Sequence, residues 1–422
     1  MDLATDSKPL QARTGQVPRA GTIHPVFAFF ACAAVLLPAH PSLQSVFLAY
    51  GIPAPFVSAA FSVSLLYFPV TRRILTRRNL GALLLFLVYI SWLLARATLS
   101  PALGLPNFIA SVRGTTALVP LALLCAAIAS QNPQFATRTI FVFSLASITH
   151  FCVIAISGGT LSTPSELRSL SADPESQNYQ STSFYFGLAA VAMASIAFRA
   201  RGPWAIFATL GALFITALMG VVGGRAALIA LIASAMWIAA TLSFRSLIRK
   251  AIFASLALTF VLFGAFLSDL LDFEEILNRI IVIDRLLALT EEGDSSQRIR
   301  LFGAALSMWL DSPRNFLFGG GIGAFPNFIG ESNEGWYPHN FILESLAEGG
   351  LIAGVLILLI GLHLTREFAK LHSTHTAVED VILGALAFYA TIAYQFIGGL
   401  QTLWMPTFFV ALFLFRSSQS KT

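Results

Sequence analysis

Asn340-Phe-Ile-Leu-Glu-Ser-Leu-Ala-Glu-Gly-Gly-Leu-Ile-Ala-Gly-Val-Leu-Ile-Leu-Leu-Ile-Gly-Leu-His363 is the stretch that decides the fold. An apolar block of this length crosses a hydrocarbon core of about 30 Å, which takes around 20 helical residues. Working outward, comparable blocks fall at 24–39, 53–70, 79–97, 104–128, 138–158, 183–198, 203–220, 224–243, 250–268, 377–398 and 401–416. With 340–363 that makes about twelve expected spans, and the last two are joined by a very tight turn.

Composition agrees. Of 422 residues 56% are hydrophobic and 11% charged, where a soluble domain carries about a quarter charged residues. The expected fold class is therefore an all-α polytopic membrane protein of about 12 transmembrane helices, with one large helical extracytoplasmic loop. The 30 glycines and 37 phenylalanines suit a close-packed, lipid-facing bundle. Cys32, Cys125 and Cys152 all lie inside apolar blocks, so neither a disulfide framework nor a CxxC metal or redox site is expected. The net charge of +5 does not point to nucleic acid, because the basic residues stand in short runs between apolar blocks, as topology signals do.

Those runs orient the chain. With the N-terminus inside, seventeen of the 26 basic residues, every Lys among them, fall on the inner side. The nine left are all Arg: Arg96, Arg113, Arg168, Arg225, Arg279, Arg285, Arg298, Arg300 and Arg314. Excess Lys and Arg mark cytoplasmic loops, so both termini are expected in the cytoplasm. The expected organisation is a cytoplasmic tail over 1–22 and a first membrane group of about nine spans over 23–268. A periplasmic loop over 269–339, a last group of about three spans over 340–416 and a short cytoplasmic tail over 417–422 follow. No small-x-small cleavage site follows the first apolar stretch, so the N-terminal tail is expected to stay uncleaved.

The loop 269–339 carries eleven acidic residues against five Arg and no Lys. Residues 273–290 read as an amphipathic helix with Glu275 and Arg279 as an i, i+4 pair. Ser295 or Ser296 is the expected cap of a second helix reaching Leu310, closed off by Pro313. On a wheel at about 100° per residue, Arg298 falls in the middle of an apolar stripe with Leu301, Phe302, Ala305 and Trp309. Arg300 falls on the opposite face with Ser307 and Asp311. An Arg on an apolar face asks for an anion or a carboxylate; otherwise it snorkels to lipid head groups.

Arg225 follows Gly223-Gly224, where a backbone or a phosphate can approach closely, and an Arg there offers a bidentate phosphate fork. An interfacial anchor is the plainer reading. His339 precedes Asn340 at the start of a span, with Glu344 and Glu348 within two turns, and its ordinary pKa suits a general base. Arg113, within a span, is an accessory candidate by the rule that buried membrane charge is functional; a carbonyl in the bundle is its bland partner. Asn340, Glu344 and Arg300 complete the accessory set. His363, His372 and His375 have no acidic or Cys partners at metal spacing, and no metal is expected.

The run Ser296-Gln-Arg298-Ile-Arg-Leu-Phe302, then Phe318-Gly-Gly-Gly-Ile-Gly-Ala-Phe325, then Pro338-His339-Asn340-Phe-Ile-Leu-Glu344 with Glu348-Gly-Gly350, resembles the core signature of the O-antigen ligase and polymerase superfamily. Its His-x10-Gly motif falls on His339 and Gly350. Gly224-Arg225-Ala-Ala-Leu228-Ile229 resembles its Arg-x3-Leu motif, with Ile229 where the Leu is expected and Leu228 one residue early. The specific part covers residues 223–355. The resemblance implies a metal-independent, membrane-embedded C-type glycosyltransferase of the bacterial inner membrane that needs no cofactor. It implies that Arg225 and Arg298 hold the diphosphate of an undecaprenyl-diphosphate-linked glycan donor and that His339 serves the acceptor hydroxyl. The acceptor is a glycan or lipid A–core, so ligation and repeat-unit polymerisation both stay open, with transfer to protein ranked last. Membrane lipids are the other expected partners; the oligomeric state is open. The competing class is a polysaccharide or lipid transporter, which places ionisable groups near mid-membrane; here, Arg113 apart, they gather at one surface. A non-catalytic membrane scaffold is the third class.

Overall fold

The computed structural model describes residues 25–37, 77–98, 118–157, 178–199, 202–222, 225–240, 294–330, 337–371 and 377–419. Among them all regular structure is helical. The helices are α1 (Pro25–Leu36), α2 (Arg77–Thr98), α3 (Val119–Ala129), α4 (Pro133–Ser157), α5 (Asn178–Arg199), α6 (Pro203–Val222) and α7 (Arg225–Ala240). Then come α8 (Asp294–Leu310), α9 (Pro313–Phe318), α10 (Ala324–Phe328), α11 (Phe341–Lys370), α12 (Val378–Ile397) and α13 (Trp404–Gln419), with a 3-10 turn at Leu400–Thr402. Among the described residues four segments are long and apolar enough to cross a membrane: Pro133–Val153, Gln180–Phe198, Phe341–Lys370 and Val378–Ile397. The other apolar helices are shorter. The blocks expected at 53–70 and 250–268, the helix at 273–290 and Arg113 lie outside the described residues.

α5, α12 and α13 form the centre. Every residue of α5 from Thr182 to Ala192 is buried, as is every residue of α13 from Trp404 to Phe415. A helix buried all round its circumference belongs inside a bundle. Small residues make the close approach possible: a Cβ on Gly187 would collide with the phenol of Tyr389, whose hydroxyl donates to the carbonyl of Phe184 at 3.2 Å. The hydroxyl of Tyr185 donates to the carbonyl of Leu36, satisfying one of the acceptors a helix end leaves over.

Two sets of polar contacts mark the ends of the last three long helices. At one end Tyr337 donates to the carbonyl of Ile397 at 3.3 Å, and Glu344 accepts the N–H of Leu400 at 2.9 Å. At the other, Lys370 pairs with Glu367, and Nε of Arg416 meets Asp380 at 2.7 Å. The 20 residues of α12 separate these ends by about 30 Å.

α11 differs from the single span expected at 340–363. It breaks at Gly350, whose φ of 70° and ψ of −167° no helix contains. Residues 341–349 form one helical segment and 351–370 a second, and the second is itself about 30 Å long. Backbone crowding requires a glycine at the break: a Cβ at Gly350 would strike the carbonyl of Leu317 and the N–H of Gly319. Only glycine adopts this φ in such a space without strain.

Candidate functional site

The site is assembled on the helical segment 341–349. Its start is set locally: Asn340 is extended, and its side-chain Oδ1 accepts the N–H of Leu343 at 3.0 Å, an N-cap. Asn340, an accessory candidate in the sequence, thus has a structural role. Just before it, His339 has a φ of 54° and is the one positive-φ non-glycine among the described residues. An L-residue in that region stores about 1–2 kcal/mol of strain, and such outliers cluster where a side chain must be aimed. The ring of Tyr337 lies against the imidazole, centroids 4.1 Å apart.

The Gly-rich run docks on the far end of this segment. Gly319, Gly321 and Gly323 all have positive φ, which frees the loop to fold back. Gly320 donates to the carbonyl of Ala347 at 2.8 Å, and Gly321 to that of Glu348 at 2.9 Å. The Glu348 carboxyl, 2% exposed, accepts the N–H groups of Gly323 and Phe325. The loop is a clasp: its amides are spent on its own neighbours, so it is not built as a phosphate cradle. Glu344, one turn earlier and also buried, holds the turn after α12 through Leu400.

α8 lies over the same segment. Leu301, Ala305 and Met308 are buried against Ala347 and Phe325. The centre of that buried face lies about 50–60° round the wheel from position 298, so Arg298 flanks the stripe and does not centre it. Arg300 is exposed, as are Ser307 and Asp311. The described helix begins at Asp294, which puts Ser295 and Ser296 in its first turn and not at its cap. Ser312 caps α9 by accepting the N–H of Asn315 at 3.1 Å, with Pro313 at the first helical position. Arg225 is the first residue of α7, behind the glycine pair. The side chains of Arg225 and Arg298 lie outside the described residues.

A stripe on α2 completes the site, and it went unread in the sequence. Tyr89, Trp92 and Arg96 follow at i, i+3 and i+7 and therefore share a face. Ser345 gives its hydroxyl proton to the carbonyl of Phe341 at 2.6 Å, so the Tyr89 hydroxyl donates to Ser345 Oγ at 2.7 Å. Trp92 Nε1 donates to the carbonyl of Gly349 at 2.7 Å, and Arg96 Nη2 to that of Gly319 at 2.8 Å. Three hydrogen-bonding side chains on one face of an otherwise apolar helix were the available signal.

Set beside models of known protein families, curated proteins and solved structures, the chain gives no match.

Proposed function

We propose that the chain is an inner-membrane glycosyltransferase that transfers or polymerises a glycan from an undecaprenyl-diphosphate carrier on the periplasmic face. The observation that carries this reading is the convergence of two separate segments on the short helix of a third. The segments 296–302, 318–325 and 338–350, on which the resemblance to the O-antigen ligase and polymerase superfamily rests, pack as one unit around residues 341–349. The strained backbone of His339 sits at the head of that unit. In the proposed topology about twelve spans cross the membrane, both termini face the cytoplasm, and the end bearing Tyr337, Glu344 and Leu400 faces the periplasm.

In the proposed reaction the acceptor hydroxyl gives its proton to His339 as its oxygen bonds to the anomeric carbon. The bond from that carbon to the diphosphate oxygen breaks, and undecaprenyl diphosphate leaves. Attack from the opposite face inverts the linkage. Arg225 and Arg298 neutralise the charge that develops on the leaving diphosphate, the work done elsewhere by a metal. Lipid-linked glycan and acceptor, supplied to the purified protein in phospholipid nanodiscs, should release undecaprenyl diphosphate. His339→Ala and His339→Gln should lower turnover by about two to four orders of magnitude while donor binding stays. A near-normal rate for His339→Gln would rule out proton transfer by this residue.

A further inference from the structure

Arg96 is 5% exposed and has one neutral acceptor, the carbonyl of Gly319. Its Nε–H is buried and meets no acceptor among the described residues. Arg314, exposed in the first turn of α9, the six-residue helix that leads into Gly319, brings a second cation toward the carbonyl that Arg96 holds. No carboxylate among the described residues pairs with either arginine. A guanidinium taken out of water costs several kcal/mol unless an anion compensates it, and a second guanidinium nearby adds repulsion. One carbonyl cannot serve a group with five donors. A phosphate reverses both costs, because its oxygens accept from Nε and Nη together and its charge suits two cations.

We infer that Arg96 and Arg314 form a binding site for a phosphate group beside the glycine clasp. The site uses arginines other than Arg225 and Arg298, and its test does not depend on the transfer reaction. The phosphate is carried by a lipid headgroup or is free. Trp92, one turn below Arg96 and tilted at 40° to Phe318 with ring centroids 6.1 Å apart, gives the site an apolar floor suited to the lipid-borne form.

Full-length protein purified in dodecyl maltoside tests this by native mass spectrometry and equilibrium binding. The probes are inorganic phosphate, inorganic pyrophosphate, undecaprenyl diphosphate and phosphatidylglycerol. The measurement is repeated in an Arg225→Gln/Arg298→Gln background, which removes the proposed donor-binding arginines. The chain should retain at least one probe in both backgrounds, and Arg314→Gln should weaken it on the order of tenfold. Arg366→Gln, at the other end of α11, should leave it unchanged. Preference for undecaprenyl diphosphate over phosphatidylglycerol assigns the phosphate to the carrier, and the reverse assigns it to bulk lipid. Retention of the inorganic anions alone assigns it to free phosphate. Retention of no probe, or equal retention by wild type and Arg314→Gln, overturns the site. Arg314 is exposed, so its substitution decides the matter even where Arg96→Gln fails to fold.

Discussion

Gly321 donates its N–H to the carbonyl of Glu348 at 2.9 Å, and the carboxyl of the same Glu348 reaches back to the N–H of Phe325 at 3.4 Å. One residue of α11 thus grips the glycine-rich loop from both its main chain and its side chain. The loop in turn packs so closely against the break of α11 that only a glycine fits at residue 350.

The clasp makes Gly319 and Gly350 intolerant of any side chain. Each has a φ near 70°, and at each a Cβ would strike backbone atoms of the other strand of the clasp. Gly319→Ala or Gly350→Ala should cost at least about 2 kcal/mol. Gly303→Ala, on the exposed face of α8 with open space around it, should instead stabilise by about 0.5–1 kcal/mol. Thermal unfolding of the three variants in one detergent checks the ordering.

Substitution of the buried Glu348 carboxyl should separate acceptor loss from charge loss. Glu348→Gln keeps an oxygen for Gly323 and Phe325 and should be mild. Glu348→Leu leaves two buried N–H groups without an acceptor, at about 1–3 kcal/mol each. Hydrogen exchange at residues 323–325 should quicken in Glu348→Leu and stay slow in Glu348→Gln.

His339 offers a test in which stability and activity part. Asn visits the left-handed region readily, so His339→Asn should unfold no earlier than wild type yet lose the proposed proton transfer. His339→Val, β-branched, should lose about 1–2 kcal/mol of stability. Equal stability of the Asn and Val variants would mean that the positive φ is not held in solution.

Arg298→Lys keeps a charge and loses the bidentate fork, so it should remove most of the proposed activity. Arg300→Ala, at an exposed position, should be nearly silent. Rates from equal amounts of folded protein check this, and a reversal of the two effects would assign the diphosphate to the other arginine.

Tags at residue 10 and at the C-terminus should be shielded from the periplasm, and a tag at Gly293 should be accessible. Labelling of the Gly293 tag only after lysis would invert the proposed topology and move the site to the cytoplasmic face.

The sequence by itself determined the helical, apolar character of the chain and many local boundaries. α8 ends at Leu310 ahead of Pro313, and Arg300 lies on the exposed face of α8, as expected; the residues for the Ser312 and Asn340 caps stand in the sequence too, though Asn340 reads there as a site residue. Each follows from period, capping or the missing N–H of proline, which act within a turn or two. Tertiary structure alone decided the bond from Arg96 to Gly319, the grip of Glu348 on Phe325, the break at Gly350 and the left-handed backbone of His339. It also moved the centre of the buried face of α8 from Arg298 toward Leu301 and Met308. No periodicity links residues 96 and 319. That contact arises because α2, the clasp and residues 341–349 compete for one space, and only the packed chain sets which backbone gives way.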